Sequence, residues 1–428
     1  MDIINAKYII NGGNCMKGNV IVGQSGGPTA AINSSLAGVY RTAIDRGAKK
    51  VYGMLHGIEG LMEEQYIDLS KHITCDLDVE LLKRTPAAYL GSCRYKLPDI
   101  HKDMSVYEKI FKILDKLNIE ALIYIGGNDS MDTIKKLSDY AILTGSPIRF
   151  VGCPKTIDND LALTDHTPGF GSAAKYIGTS VKEIIRDSQC LIYPKGLVSI
   201  VEIMGRNAGW LTGASALAKG EDCDGPDMIY LPEITFDIVK FRDKVKKLME
   251  TKSSVVVCVS EGIRTQDGKY VCELGNASDY VDAFGHKQMG GTASFLANYI
   301  AGEMKCKTRA IELSTLQRAG SHLASRVDIL EAYQVGGAAV KAADEGDTGK
   351  MVVLVRHSDD PYQCGTEVKD VHKIANDEKI VPREWINKEG TYVTDEFITY
   401  VRPLIQGDVS PIMVDGIPRH LYHPKHKK

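Results

Sequence analysis

The stretch Pro154-Lys155-Thr156-Ile157-Asp158-Asn159-Asp160 sets an ammonium, a hydroxyl, an amide and two carboxylates side by side in the chain. It follows Ile148-Arg149-Phe150-Val151-Gly152, a mostly apolar run that reads as a short buried strand. In open parallel α/β sheets ligands bind outside the carboxyl ends of strands, so a charged loop at such an end marks both a fold class and a candidate site. One carboxylate there can accept a proton from a substrate hydroxyl while the second holds a metal ion or orients the first. A capped turn uses the same residue types, because Asp and Asn hydrogen-bond their own backbone. The surrounding chain has to separate the two.

Upstream, Val20-Ile21-Val22-Gly23 leads into Gln24-Ser25-Gly26-Gly27-Pro28-Thr29 and then into a helical stripe of Ile32, Leu36, Val39, Tyr40 and Ala43 that closes at Gly47. Strand, glycine turn and helix in that order aim backbone amides at an anion, and Gly26 and Gly27 leave room for a phosphate to approach. Ala121-Leu122-Ile123-Tyr124-Ile125 repeats the arrangement, ending at Gly126-Gly127-Asn128-Asp129-Ser130 before a helix that Gly145 terminates. Arg94 follows Gly91-Ser92-Cys93 and offers a planar fork of donors that suits phosphate oxygens. Downstream, Leu197–Ile203 ends at Met204-Gly205-Arg206, Met228–Leu231 at Pro232-Glu233, and Ser254–Val259 at Ser260-Glu261-Gly262. Arg309 precedes Ala310-Ile311-Glu312-Leu313, and Gln317-Arg318 follows it. Such a succession of β-then-α units predicts an α/β protein with parallel sheets. Polar residues recurring at strand ends favour a shared cleft over isolated capped turns.

The 428 residues exceed one hydrophobic core of ordinary size, which predicts two domains or one large α/β domain. A net charge of −3 provides no electrostatic footprint for nucleic acid or an anionic membrane surface. The ten cysteines form no CxxC pair, which argues against a zinc ribbon and fits a reducing compartment. No stretch reaches the roughly 20 apolar residues of a membrane span, and Met1–Asn14 lacks a signal-peptide pattern, so a cytoplasmic location is expected. Beyond residue 350 the periodicity weakens after the strand-like Met351–Val355, and His420–Lys428 reads as a solvated basic tail.

Taken together and in order, Gly26-Gly27, Gly126–Ser130, Pro154–Asp160, Met204-Gly205-Arg206, Pro232-Glu233, Arg309 and Gln317-Arg318 resemble the phosphofructokinase family over roughly residues 18–340. The resemblance implies two Rossmann-like three-layer α/β/α domains with the active site in the cleft between them. It places a phosphoryl-donor domain at 18–168 plus about 319–345, a sugar-phosphate domain at 169–318, and a C-terminal extension at 346–428 packing on the core. It further implies phosphoryl transfer to the 1-hydroxyl of fructose 6-phosphate with Mg2+. Asp158 then resembles the base for that hydroxyl, with Thr156, Asp160 and Lys155 as its catalytic neighbours. Gly26, Gly27, Arg94, Gly127, Asp129 and Lys155 fall at the donor. Thr156, Asp158, Met204, Gly205, Arg206, Glu233, Arg309 and Arg318 fall at the sugar phosphate.

ATP-dependent members carry Asp-Gly where this chain has Asn128-Asp129, and often a glycine in place of Lys155. An Asp129 carboxylate would crowd and repel the α-phosphate of ATP, whereas the Lys155 ammonium suits the end of a pyrophosphate. Gln24–Thr29 and Asp282-Ala283-Phe284-Gly285-His286-Lys287-Gln288 also resemble the pyrophosphate-dependent branch. Pyrophosphate is therefore the expected donor, with ATP the alternative. Asn128 stands where an aspartate usually meets Mg2+; an amide oxygen still ligates a hard cation, with Asp129, Asp132 or water sharing the task. Thr315 replaces a histidine at the sugar phosphate, and Leu197 an arginine that the neighbouring subunit supplies in many members, for which Lys195 is a substitute. A homodimer or homotetramer is the implied assembly. Two other classes stay open: a kinase of the NAD-kinase type, which leaves Lys155–Asp160 unexplained, and a non-catalytic sugar-phosphate sensor, against which the intact Asp158 and Asp160 argue.

Overall fold

The computed structural model describes residues 16–275, 290–373 and 378–422. Asp282–Gln288 therefore lie outside the described residues. In chain order the strands are β1 (Asn19–Gln24), β2 (Val51–Met54), β3 (Tyr66–Asp68), β4 (Ile119–Gly126), β5 (Arg149–Pro154), β6 (Leu197–Ile203), β7 (Met228–Tyr230), β8 (Ser254–Ser260), β9 (Lys307–Glu312), β10 (Lys350–Asp359) and β11 (Tyr362–Asp370). A short hairpin of Met413–Val414 and Ile417–Pro418 stands apart.

The first sheet has the order β11-β10-β5-β4-β1-β2-β3. Its inner strands β10, β5, β4, β1 and β2 run parallel, while β3 and β11 pair antiparallel at the edges. Because successive residues of a strand face opposite ways, Val20, Val22, Ile123 and Val151 enter one core while Ile21, Leu122, Tyr124 and Phe150 enter the other. Burial on both faces explains why these strands read as continuous apolar runs. The connections leave β1 and β4 in opposite directions, toward β2 and β5, so a crevice opens between their carboxyl ends. Both glycine turns sit at that crevice. The second sheet, β7-β8-β6-β9, is entirely parallel.

The helix Arg326–Asp344 returns from the second domain to lie on the helix Ile32–Asp45 in the first. The crossing is very close: a Cβ on Gly38 would stand 2.0 Å from the Tyr333 carbonyl oxygen, and one on Gly336 2.0 Å from that of Ser35. No larger residue fits either position without separating the helices.

The expected third unit, residues 346–428, is divided between the two domains. The β10–β11 hairpin extends the first sheet beyond β5. Farther on, Val381, Ile386, Val393, Phe397, Val401 and Leu404 join the core of the second domain. There Trp210 meets Tyr400 and Phe397 with ring centroids 5.3 and 5.9 Å apart, and Trp385 lies 5.2 Å from Tyr400. The cysteines among the described residues are all free. No helix among those residues is long and apolar enough to cross a membrane.

His166 is buried where the domains meet, its Nδ1 2.7 Å from an Asp165 oxygen and its Nε2 2.7 Å from a Glu331 oxygen. Burial opposes a charge on this ring, yet Glu331 and Asp165 outweigh it and hold the pKa above its ordinary 6.5. A raised folded-state pKa contributes stability that is complete below the unfolded value and is lost as pH rises through the folded one. Thermal denaturation of wild type and His166→Gln from about pH 6 to about pH 9 checks this: the wild-type advantage in Tm is largest at the acid end and shrinks as pH rises.

Candidate active site

Three strand ends converge beside the two glycine turns. Ser25 N–H donates to the Ile125 carbonyl at 2.9 Å, and Lys155 N–H to that of Gly126 at 2.9 Å, which ties the loops after β1, β4 and β5 together. The Lys155 side chain is 2% exposed, and its Nζ donates to the Gly27 carbonyl at 2.6 Å. Burial lowers its pKa to about 8; Arg318 and Arg94 push the same way, while Asp158 and Asp160 oppose. Arg94 is held nearby because Gly26 N–H donates to the Cys93 carbonyl at 3.2 Å and Ser92 Oγ to that of Gly26 at 2.6 Å. A Cβ on Gly26 would come 3.4 Å from Lys155 Nζ, and one on Gly27 3.7 Å from Arg318 Nη1. Gly26, with φ 78°, also occupies the left-handed region that glycine tolerates. The bare backbone of this turn thus faces three cationic side chains.

The helix after β4 starts at Asn128, earlier than a start at Ser130 or Asp132 would have it, with Gly127 as its N-cap. Its first amides and the exposed Asp129 therefore stand at the crevice. Asn128 Oδ1 is buried and accepts no hydrogen bond from the protein, so this hard oxygen fits a Mg2+ ligand. Asp132 is committed elsewhere: its carboxylate pairs with Lys136 at 2.6 Å.

In the central loop Thr156 Oγ1 donates to Asp158 Oδ2 at 3.2 Å and accepts from Asp158 N–H at 3.1 Å. Asn159 is left-handed, with φ 56°, a conformation asparagine adopts more readily than most residues. Its side chain turns inward, accepting from Thr167 N–H at 3.1 Å and donating to Tyr400 Oη at 2.9 Å. It thereby fixes the backbone between the carboxylates of Asp158 and Asp160. Burial raises the Asp158 pKa against the pull of Thr156, Lys155, Arg206 and Arg318. Burial, then Asp158, lift Asp160 to about 7, with Glu378 adding to the rise and Lys379 opposing it.

Across the cleft, Met204 N–H donates to Gln317 Oε1 at 3.1 Å and Gly205 N–H reaches Glu261 Oε1 at 3.4 Å. Gly205 has φ 132°, outside the range of residues with a side chain. Glu261, at the end of β8, was visible in sequence only as one more polar residue at a strand end. In the fold, burial raises its pKa to about 7, Asp158 adds to the rise, and Arg206 opposes it. Arg318, with charge coupling to Asp158, Glu261 and Arg94, spans the sugar and donor sides. Next to Arg206 opens a cavity of about 360 Å3 lined by Arg206, Asn207, Pro232, Arg264 and Glu378.

Two residues expected at the sugar phosphate, Glu233 and Arg309, make contacts within the chain. Glu233 Oε1 accepts from Gly209 N–H at 2.8 Å and from Val381 N–H at 2.9 Å, which holds the carboxylate in place, while its Oε2 is buried and accepts no hydrogen bond from the protein. Arg309 lies on the edge strand β9, where it pairs with Asp187 at the far end of the helix Phe170–Gln189. Among the described residues, its ion pair is with Asp187 and not with the loop that carries Asp158.

A model of the family described as phosphofructokinase matches residues 19–343. The chain belongs to the phosphofructokinase family. It is similar to pyrophosphate–fructose 6-phosphate 1-phosphotransferases from Halomonas elongata, at 39% identity covering 96% of this chain and 97% of that protein, and from Xanthomonas campestris, at 41% covering 94% and 96%. Among solved structures, a pyrophosphate-dependent phosphofructokinase from Nitrosospira multiformis superposes with a TM-score of 0.85 at 35% identity, covering 94% of this chain and 95% of that one. As in other phosphofructokinases, two α/β domains flank the cleft.

Asp158 and Asp160 repel each other in this enclosed loop, so their ionisations are linked. In Asp160→Asn that repulsion is gone, Asp158 ionises more readily, and the acid limb of the pH profile of kcat/KM for the sugar phosphate moves to lower pH than in wild type. Steady-state kinetics across the acid range measures the displacement.

Proposed function

We infer that this chain moves a phosphoryl group from pyrophosphate to the 1-hydroxyl of fructose 6-phosphate, giving fructose 1,6-bisphosphate and phosphate, and that it runs in either direction. The observation that carries this reading is the convergence of the Gly26-Gly27 turn after β1 with the Lys155 ammonium and the Asp158 carboxylate after β5. Lys155 and Arg94 hold the distal and bridging oxygens of the donor beside the bare backbone of Gly26, Gly27 and Gly127. Asp158 accepts the proton of the 1-hydroxyl as that oxygen bonds to phosphorus, and the bridging P–O bond breaks to release phosphate. Thr156 orients the Asp158 carboxylate through its hydroxyl. Met204, Gly205, Arg206, Glu233 and Arg318 receive the sugar phosphate, Glu233 through its buried Oε2, with Glu261 beside Gly205. Asn128, with Asp129 beside it, would hold Mg2+, which when bound neutralises charge on the donor phosphates.

The donor follows from charge and room. A pyrophosphate ends near Lys155, whereas the longer chain of ATP would run past the carboxylate of Asp129 at the start of its helix. A homodimer or homotetramer supplies the remaining charge: among the described residues β9 lies at the edge of its sheet, with Arg309 on it and Lys195 on the loop before the neighbouring β6, where a second copy would meet them. The free cysteines and the substrates fit a cytoplasmic enzyme.

Steady-state assays with fructose 6-phosphate, Mg2+ and either pyrophosphate or ATP test the assignment. Wild type turns over with pyrophosphate alone, and Asp158→Asn lowers kcat by about 100-fold or more, the range for loss of a general base. Asp129→Gly gains at least about tenfold in kcat/KM for ATP, equivalent to removing about 1.4 kcal/mol of discrimination. Equal use of ATP by the wild type would defeat the donor assignment, and turnover with neither donor would defeat the reaction itself.

A further inference from the structure

The loop that carries Asp158 and Asp160 is tied to the first sheet where Asp165 N–H donates to the Leu354 carbonyl at 2.9 Å and Leu354 N–H donates to Thr164 Oγ1 at 2.9 Å. Asn159 and Leu163 are both left-handed, with φ 56° and 63°, and the carbonyls of Thr164 and Asp165 point inward. Their partners come from the far end of the chain. Lys379 N–H donates to the Asp160 carbonyl at 2.7 Å, and Lys379 Nζ donates to the carbonyls of Asp165 at 2.6 Å and Thr164 at 3.2 Å. Tyr400 Oη donates to the Asp165 carbonyl at 2.6 Å and accepts from Asn159 Nδ2 at 2.9 Å. Arg356 Nε adds a bond to the Asp165 carboxylate at 3.0 Å.

The same segment is anchored on the opposite side of the cleft. Trp210 Nε1–H donates to the Lys379 carbonyl at 2.8 Å, and the Lys379 ammonium stands 5.3 Å from the centroid of the Trp210 ring. Val381 N–H donates to Glu233, and Tyr400 packs against Trp210 and Trp385. Glu378 meets Asn207 at 3.0 Å and lines the cavity beside Arg206. Lys379 and Tyr400 therefore bridge the loop bearing the base and the wall that receives the sugar.

We propose that the C-terminal extension is a working part of the active site, in which Lys379 and Tyr400 are positioning residues that hold the Asp158–Asp165 loop against the sugar-phosphate domain. The proposal rests on the phosphotransferase reading above, and its physical logic is simple. A buried ammonium must find oxygen partners, and buried carbonyls must find donors, so each fixes the other. Burial lowers the Lys379 pKa to about 8, while Asp165 and Asp160 favour the charge and Arg356 disfavours it. The ammonium thus adds a positive charge beside Asp160 as well as a mechanical tie.

Two full-length variants, Lys379→Met and Tyr400→Phe, test the role with pyrophosphate, fructose 6-phosphate and Mg2+, alongside amide hydrogen exchange over residues 159–167. The expected result is a fall in kcat of at least about tenfold in each, with KM for pyrophosphate within about twofold of wild type and loop amides exchanging at least about tenfold faster. A purely structural loss would lower the amount of folded enzyme and leave the KM of the remainder and its turnover per folded chain unchanged. The proposal is overturned if both variants keep kcat within about twofold of wild type, or if the loop amides exchange at the wild-type rate. Should Lys379→Met not fold, Tyr400→Phe, which loses one hydroxyl, decides alone. Should wild type itself not turn over, the reaction fails and the exchange measurement still decides the positioning.

Discussion

The buried ammonium of Lys155 is the constraint on which the site depends. A charge taken out of water without partners costs several kcal/mol, typically enough to unseat the side chain or strip its proton. Lys155 is retained because the Gly27 carbonyl accepts from it and because Asp158 and Asp160 lie close enough to favour its charge. Asp158, raised by the same burial, is in turn tolerable because Lys155, Arg206 and Arg318 face it, and Asp160 because Lys379 does. Each group would be unfavourable alone. Together they form an arrangement with its proton affinities displaced toward neutrality, which is what a base acting on a sugar hydroxyl needs.

Around that centre, close backbone approach does what side chains cannot. Gly26 and Gly27 leave the donor turn bare where Lys155 and Arg318 reach it, and Gly205 adopts a conformation that turns its amide to Glu261. Gly38 and Gly336 let two helices touch so that the chain, having built the second domain, returns to complete the first. The C-terminal residues then cross back again, placing β10 beside β5 and seating Trp385, Phe397 and Tyr400 on the second domain. The two domains are thus joined by three passages of one chain.

Much of this was legible in the sequence because it is local. Apolar runs of strand length with polar ends identified β1, β4, β5, β6 and β8, since strands buried on both faces carry no alternation to confuse the pattern. Gly145 and Gly47 marked helix ends and have φ of 68° and 85°. Asp158, Asp160 and Lys155 stood out because one short loop concentrates them. Glu261 did not, because a single carboxylate at a strand end looks the same whether it meets a substrate or water. Glu233 also ends a strand; one of its oxygens is taken by the amides of Gly209 and Val381, the latter 148 residues away, and the other is buried without a protein hydrogen bond, a division that no local pattern announces. Arg309 belongs to an edge that one chain leaves open.

The sequence by itself determined the fold class, the order of the phosphate turns and the chemistry of the loop at 154–160, because propensity, glycine placement and residue type act over a few neighbouring positions. Tertiary structure alone decided which of those groups share one volume. The pairing of Lys155 with Gly27 joins residues 128 apart, and that of Tyr400 with Asn159 joins residues 241 apart. Such contacts leave no periodicity behind, since their cost in chain entropy grows only slowly with separation and any distant segment of suitable shape can make them. Which distant segment does so is settled only when the sheets have formed and their faces have been covered.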